Sequence, residues 1–122
     1  MPYESHLRPD GILWLKFLGN IELEDWMAYE AEYTPLVEAF TEAHPLNFLV
    51  DASEIGKISA SARKALLKAF ANPDPRFGNT AILSANRYVR VLASFILKAT
   101  GRNNIHIFDT EEEALAWLQG RR

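Results

Sequence analysis

Short apolar segments alternate with helical segments along most of the chain, and this alternation restricts the fold more than any other feature of the sequence. Apolar runs of strand length occupy residues 46–50, 80–83 and 105–108, and a segment with helical periodicity follows each of them. Strands that are joined by helical crossovers pair in parallel, with right-handed connections. The sequence therefore predicts an α/β fold around a mostly parallel sheet.

An N-terminal hairpin precedes this alternation. Residues 3–7 and 12–18 are its two predicted strands, and the sequence Arg-Pro-Asp-Gly at residues 8–11 supplies the turn. Gly19 is predicted to end the second strand. With this hairpin the sequence predicts about five strands and four helices. All 122 residues are expected to form a single domain, because the length is that of one ordinary domain.

The first helix is predicted over residues 23–43, because apolar residues recur along it at helical spacing. Pro35 interrupts this pattern, since a proline removes a hydrogen bond from a helix interior and clashes with the preceding turn. Two outcomes stay open. The helix kinks at Pro35, which the unbroken apolar stripe favours, or Thr34 caps a second helix that begins with Pro35.

Capping signals mark the other three helices. Either Ser59 or Ser61 caps the second helix, whereas Asn86 begins and Gly101 ends the third. The sequence Thr-Glu-Glu-Glu at residues 110–113 is a capping box for the last helix.

The composition restricts the cellular compartment in which the chain can act and the kinds of site that it can contain. The chain has no cysteine, which excludes disulfides and thiolate metal sites and fits a reducing compartment. Its net charge of -3 argues against a non-specific nucleic-acid binder. The N-terminus lacks the basic start and apolar run of a signal peptide, and no apolar stretch approaches the roughly 20 residues that span a bilayer. We therefore expect a cytoplasmic protein.

Three segments carry a resemblance to a known family. They are FLVDAS at residues 48–53, TAIL at residues 80–83 with the Arg/Tyr-containing helix start that follows, and FDTEEEALAWL at residues 108–118. Together with the order of the elements, these segments resemble the SpoIIAA-like (STAS-like) family over nearly the whole chain. The resemblance implies a STAS-type fold, in which helices back a mostly parallel sheet, and it brings no catalytic signature.

The resemblance also implies a regulatory position and a rival function. The wider family includes anti-sigma-factor antagonists, in which phosphorylation of a serine at the start of the second helix switches partner binding. Ser61 falls on that position, and Ser59 and Ala62 replace the Asp and Gly that frame the serine in those proteins. The fold is also similar to that of CRAL-TRIO domains, which carry lipids, and this similarity implies a carrier of an apolar ligand.

Three serines are expected around the entry to the second helix, and Asp51 and Ser53 are expected in a loop at the end of the preceding strand. A phosphate on Ser59, Ser61 or Ser53 would be favoured by the unpaired amides and positive dipole of the helix N-terminus, although a serine there also serves as an ordinary cap. Asp51 ends an apolar strand at the edge where parallel sheets bind ligands. An Asx turn with the amides around Ser53 is the favoured interpretation of Asp51.

The third helix is the most unusual element. Its apolar residues cover far more than one face, and all its charged residues are basic. A helix of this kind buries a second face against a subunit or partner, against an apolar ligand or an anionic membrane, or within a deep core. Patterning alone does not separate these alternatives. The residues predicted to face an interface or a ligand are Arg87, Tyr88, Val91, Phe95 and Lys98.

No pattern in the sequence indicates catalysis, a metal or a cofactor. His6, His44 and His106 lack metal-ligand spacing, and neither a nucleophile elbow nor a glycine-rich phosphate loop is present. The sequence therefore favours a non-enzymatic regulatory module that binds a protein partner. The alternative is a carrier that holds an apolar, lipid-like ligand beneath the third helix. We also expect a homodimer, and we do not favour peripheral membrane contact.

Overall fold

The computed structural model describes residues 3–71, 75–84, 87–101 and 104–120. Within these ranges the elements are β1 (Tyr3–Leu7), β2 (Ile12–Ile21), α1 (Leu23–Val37), β3 (Leu46–Ile58), α2 (Ala60–Ala71), β4 (Phe77–Leu83), α3 (Arg87–Thr100), β5 (Ile105–Phe108) and α4 (Glu111–Leu118). The strands lie side by side in chain order, with β1 antiparallel to β2 and every other pair parallel. The predicted α/β fold, with its N-terminal hairpin, is confirmed.

Helices cover both faces of the sheet, because side chains along each strand point alternately to opposite faces. On one face, α1, α2 and α3 pack against a core cluster to which every one of these helices contributes. On the other face, Ala114 and Leu118 of α4 pack against Ile12, Leu49 and Ala81. The larger core therefore lies beneath the three consecutive helices, and α4 forms a smaller second core alone.

Strands β2 and β3 are longer than the sequence predicts. Gly19 does not end β2, because it takes a positive φ of 70° and still pairs with Ile55, so that the strand continues to Ile21. The outer part of β3 pairs with this extension and so reaches Ile58. The pairing of β3 with β4 ends at Leu83, and that of β4 with β5 ends at Phe108. The outer parts of β2 and β3 therefore form a two-stranded ribbon that projects beyond the rest of the sheet.

Two bulges in β3 keep the apolar residues of this ribbon on one face. The register with β2 shifts between Lys16 and Leu18, and it shifts again between Gly19 and Ile21. Each shift places one extra residue of β3 opposite β2, as in a β-bulge. The buried residues of β3 consequently recur every second position as far as Ala52 and every third position beyond it. Those on the face of α1, α2 and α3 are Leu46, Phe48, Val50, Ala52, Ile55 and Ile58.

Helix α1 ends soon after Pro35 rather than at residue 43. Neither predicted outcome is observed, since α1 contains Pro35 in its last turn and no second helix begins there. After Pro35 the amides of Glu38, Ala39 and Phe40 bond to carbonyls three residues back instead of four. Proline lacks the N–H that would bond to the carbonyl of Ala31, which weakens this last turn, and the chain beyond it tightens into turns and leaves the helix.

The capping signals within the described residues act largely as predicted. At the end of α3, Gly101 takes a φ of 69° and donates its N–H to the carbonyl of Leu97 at 2.9 Å. At the start of α4, the hydroxyl of Thr110 accepts from the amide of Glu113 at 3.2 Å. Asn86, the predicted cap of α3, lies outside the described residues.

Candidate functional site

The start of α2 contains the predicted regulatory serine. Ser59 is the cap, because its hydroxyl accepts from the amide of Ala62 at 3.2 Å. Ser61 lies in the first turn with an exposed side chain, and its hydroxyl has no hydrogen-bond partner among the residues that the structure describes. Lys64 is exposed one helical turn further on. A phosphate on Ser61 would therefore meet unpaired helix amides and a basic side chain without displacing the cap.

Asp51 and Ser53 do not lie in a loop at the end of a strand, and Ser53 does not lie at the entry of α2, because β3 continues past both residues. The predicted Asx turn is confirmed, since Asp51 accepts from the amide of Ser53 at 3.0 Å and from its hydroxyl at 2.6 Å. This turn is part of the first bulge of β3, and the strand then continues to Ile58. At a rise of about 3.3 Å per residue, the extended chain from Ser53 to Ser59 covers about 20 Å. The predicted grouping of Ser53 with Ser59 and Ser61 is therefore wrong.

The start of α3 lies beside the start of α2. The hydroxyl of Tyr88 lies 3.4 Å from both the backbone nitrogen and the carbonyl oxygen of Ile58, the residue that precedes the cap Ser59. Tyr88 is half-buried and packs against the larger core, whereas the neighbouring Arg87 is exposed. Among the predicted site residues, the structure thus brings Ser59 and Ser61 close to the first turn of α3.

The outer face of α3 carries an exposed apolar pair. Val91 and Phe95 retain 61% and 59% of their accessible surface. They form a shallow groove with Arg90, Ser94 and Lys98, and the guanidinium of Arg90 also pairs with the carboxylate of Asp109. Val91, Phe95 and Lys98 therefore share one outward face and do not face a ligand inside the protein. Of the three alternatives for this face, burial in a deep core is excluded for Val91 and Phe95, and burial against a partner, a ligand or a membrane stays a prediction.

The inner face of α3 covers an apolar cavity of about 140 Å³. Leu92, Ala93 and Ile96 of α3 line it together with residues of the sheet, α1 and α2, and the lining is almost entirely apolar. Trp26 also contributes to this lining. A dry cavity of similar size in another protein accommodates benzene. Sequence patterning did not identify the lining residues, because a cavity depends on how side chains of several elements fit together.

Buried tyrosines lie in the same layer. Burial raises the pKa of Tyr29 and of Tyr33, both of which line the cavity, so their hydroxyl groups stay protonated. Tyr3 donates to Glu32 at 2.7 Å, and Ser5 donates to the second oxygen of the same carboxylate at 2.6 Å. Burial and this carboxylate raise the pKa of Tyr3 to about 12. The cluster fixes the edge strand β1 to α1, and sequence patterning did not indicate it.

Histidines and carboxylates do not gather into a metal site in the described part of the chain. The ring of His6 stacks on Trp14 at 4.9 Å, and the ring of His106 packs against Trp117 at 4.7 Å. His106 therefore lies on the α4 face of the sheet, as its alternation with Ile105 predicts. Within the described ranges no helix has both the length and the apolar character needed to cross a bilayer.

Several solved structures share this architecture. An uncharacterised protein of the DUF3478 family from Shewanella loihica PV-4, with a SpoIIAA-like fold, is 19% identical with a TM-score of 0.73, and the match covers 95% of this chain and 91% of that one. The anti-sigma factor antagonist SpoIIAA in its unphosphorylated form is 13% identical with a TM-score of 0.68, over 97% and 98% of the two chains. An anti-sigma factor antagonist from Mycobacterium paratuberculosis is 13% identical with a TM-score of 0.63, over 96% and 94%.

These identities are low, so the structural matches establish the fold and leave the partner or ligand open. A search of curated proteins finds no significant match. The family model described as SpoIIAA-like matches residues 12–119, which include every element from β2 to α4. Sequence and fold therefore agree, and the chain belongs to the SpoIIAA-like family.

Proposed function

We propose that the chain is a non-enzymatic, cytoplasmic regulatory module that binds a protein partner through the adjoining starts of α2 and α3. The observation that carries this proposal is the division of roles between two serines. Ser59 caps α2, and the exposed hydroxyl of Ser61 stays available in the first turn. Two of the similar structures are anti-sigma factor antagonists, and one of them is in an unphosphorylated form, which supports a modifiable interaction surface here.

Phosphorylation of Ser61 would change this surface without unfolding it. A phosphoserine adds about 1.5 to 2 negative charges and three acceptor oxygens. The N-terminus of α2 tolerates such a group, because its dipole and unpaired amides favour anions. The exposed basic residues Lys64 and Arg87 would then lie near an anionic group, which changes the charge of the surface that a partner binds. The modification thus acts on binding and spares the core.

The test compares phosphomimetic and neutral variants in affinity capture from the host. We expect a partner that is recovered with the parent chain and with Ser61→Ala to be lost with Ser61→Asp, while circular dichroism and thermal unfolding stay unchanged. Ser53→Asp is the matched control, since Ser53 is also exposed but lies in the bulge of β3. Equal recovery of the partner with Ser61→Asp and with the parent would refute the proposal that phosphorylation of Ser61 controls binding.

A second candidate function rests on the cavity beneath α3. Its volume of about 140 Å³ suits a small aromatic or branched aliphatic molecule, whereas a long acyl chain needs α3 to move outward. Thermal unfolding in the presence of benzene or indole tests this function, because a ligand that binds only the folded state raises the melting temperature. Trp26 lines the cavity and provides a fluorescence signal. An unchanged melting temperature with both probes would argue against a carrier.

A homodimer is part of the proposal as well. The sheet leaves β1 and β5 as its edge strands, and such edges are the parts of a sheet that pair with another chain. Sedimentation velocity over a range of concentrations distinguishes a dimer from a monomer. A single monomeric species throughout that range would exclude the dimer.

A further inference from the structure

The outer edge of β1 has no strand beside it in the described part of the chain, since β1 is the first strand of the sheet and pairs with β2. The amide of Arg8 bonds to the carbonyl of the opposed Ile12 at 2.9 Å, just beyond the end of β1. Hydrogen-bonded and non-bonded pairs alternate along an antiparallel ladder, so the backbone groups of Glu4 and His6 also bond to β2. The remaining residues of β1 turn their N–H and C=O groups away from β2, and they are Tyr3, Ser5 and Leu7.

These three outward residues are symmetric about Ser5. A second copy of β1, related by a two-fold axis through Ser5, would run antiparallel to the first and present the same three residues. Ser5 would then bond to Ser5 of the second copy, and Tyr3 would bond to Leu7 of the second copy. Opposed residues of this kind exchange both of their backbone hydrogen bonds, and all three outward residues would be paired. The two five-stranded sheets would thereby become one continuous sheet.

The side chains on the α4 face of β1 are complementary in the same register. Glu4 would lie opposite His6 of the second copy, in a non-hydrogen-bonded pair, where side chains approach most closely. An imidazole donates an N–H to a carboxylate whether it is neutral or protonated. In the single chain, Glu4 already lies opposite Lys16, and Lys16 lies opposite Asp51. The second copy would extend this row of alternating acidic and basic residues across the edge of the sheet, and such cross-strand pairs stabilise strand pairing.

We propose that the chain dimerises by antiparallel pairing of β1 with β1 of a second copy, about a two-fold axis at Ser5. The other edge strand, β5, is shorter and contains no acidic residue, so two β5 strands would lack this charge complementarity. Leu7 is 42% exposed in the single chain, and the pairing would cover it with Tyr3 of the second copy. The inference rests on the homodimer proposed above, for which it supplies the interface, and it does not involve the starts of α2 and α3.

One contact on the opposite face works against this dimer. Glu32 of α1 accepts from the hydroxyl of Ser5, which lies at the axis, so the two Glu32 carboxylates of a dimer would approach each other. α1 contains no basic residue that would neutralise them. The dimer should therefore depend on concentration, and Glu32→Gln should strengthen it about three-fold, because one like-charge pair is removed.

The first test is sedimentation velocity of the full chain and of Ser5→Pro over a range of concentrations. The proline removes the N–H that Ser5 turns outward and leaves the ladder with β2 intact, which is why edge strands accept proline at such positions. We expect Ser5→Pro to be monomeric at every concentration at which the parent dimerises. Ser5→Ala is the matched control, since it loses the same hydroxyl and keeps the N–H, and it should dimerise as the parent does.

The second test changes the charge at one position in opposite directions. His6→Glu should weaken the dimer about ten-fold, because two complementary pairs become like-charge pairs and each is worth about three-fold. His6→Lys loses the same stacking on Trp14 but keeps a positive charge opposite Glu4, so it should dimerise at least as tightly as the parent. Circular dichroism of each variant shows that a loss of the dimer does not arise from unfolding.

The outcomes separate this interface from the homodimer on which it rests. A parent chain that is monomeric throughout overturns both. A dimer that persists in folded Ser5→Pro, or that is equally tight in His6→Glu and His6→Lys, overturns the β1 interface alone and leaves the homodimer to be formed by another surface.

Discussion

Filling the cavity beneath α3 should stabilise the chain. Ala93 is buried in α3 and lines the cavity, and Ala93→Leu places three further carbon atoms in it. At ~24 cal/mol per Å³, the volume of about 140 Å³ sets an upper limit of about 3.4 kcal/mol on the stabilisation that filling it can give. The three carbons recover about 2.4 kcal/mol at ~0.8 kcal/mol each. Fixing the leucine rotamer costs about 0.5 to 1 kcal/mol. We therefore expect a net stabilisation of about 1.5 kcal/mol.

The assay is urea denaturation followed by circular dichroism, on protein refolded from denaturant to remove any bound ligand. Ala99→Leu is the matched control, because Ala99 is exposed in the same helix and the same substitution there should change stability by less than ~0.5 kcal/mol. Ala93→Leu should also abolish the effect of benzene on the melting temperature. If Ala93→Leu destabilises the chain while Ala99→Leu does not, the space is absent in solution and the reasoning fails.

Three further perturbations test other parts of the structure. Ser59→Ala should lower the free energy of unfolding by about 1 kcal/mol and Ser61→Ala by less than ~0.5 kcal/mol, and equal losses in urea denaturation would contradict the assignment of the cap. Gly56→Ala should lower the melting temperature, because the new Cβ would clash with Oδ1 of Asn20, which accepts a hydrogen bond from the amide of Lys57; an unchanged melting temperature would refute that contact. Burial and its carboxylate partner raise the pKa of Tyr3 from 10.0 to about 12. Its contribution to stability is therefore complete below pH 10 and is lost as the pH rises towards 12. Unfolding at a series of alkaline pH values should accordingly show a steeper loss for the parent than for Tyr3→Phe.

The sequence predicts the fold well where hydrophobic periodicity and caps agree. The alternation of strands with helices gives the parallel sheet, and Gly101 and Thr110 mark helix ends that the structure contains. Periodicity fails in β3, where Ser53 and Glu54 are exposed one after the other because a bulge interrupts the alternation. A polar pair inside an apolar run indicates a loop as readily as a bulge, and only pairing with β2 distinguishes them.

The candidate site also depends on tertiary contacts that sequence patterns do not specify. The sequence places Ser61 at the start of α2 and Val91 and Phe95 on α3, but it does not say which side of α3 meets the core. That choice depends on the contacts that α3 makes with the sheet and with α2. The sequence shows that the charged residues of α3 are all basic, and the structure adds that α2 and α3 are neighbours on one face.

The bulges of β3 bear on how the length of this chain can vary. Each bulge holds one residue more than the opposing segment of β2, so the loss of one residue within a bulge restores regular alternation. Ile55 would then stay on the core face after a deletion at Ser53. A deletion at Leu49, in the regular part of the strand, would turn every residue beyond it to the opposite face. The ribbon is therefore a segment in which homologous chains can gain or lose single residues while the buried residues beyond that point stay on the core face of the sheet.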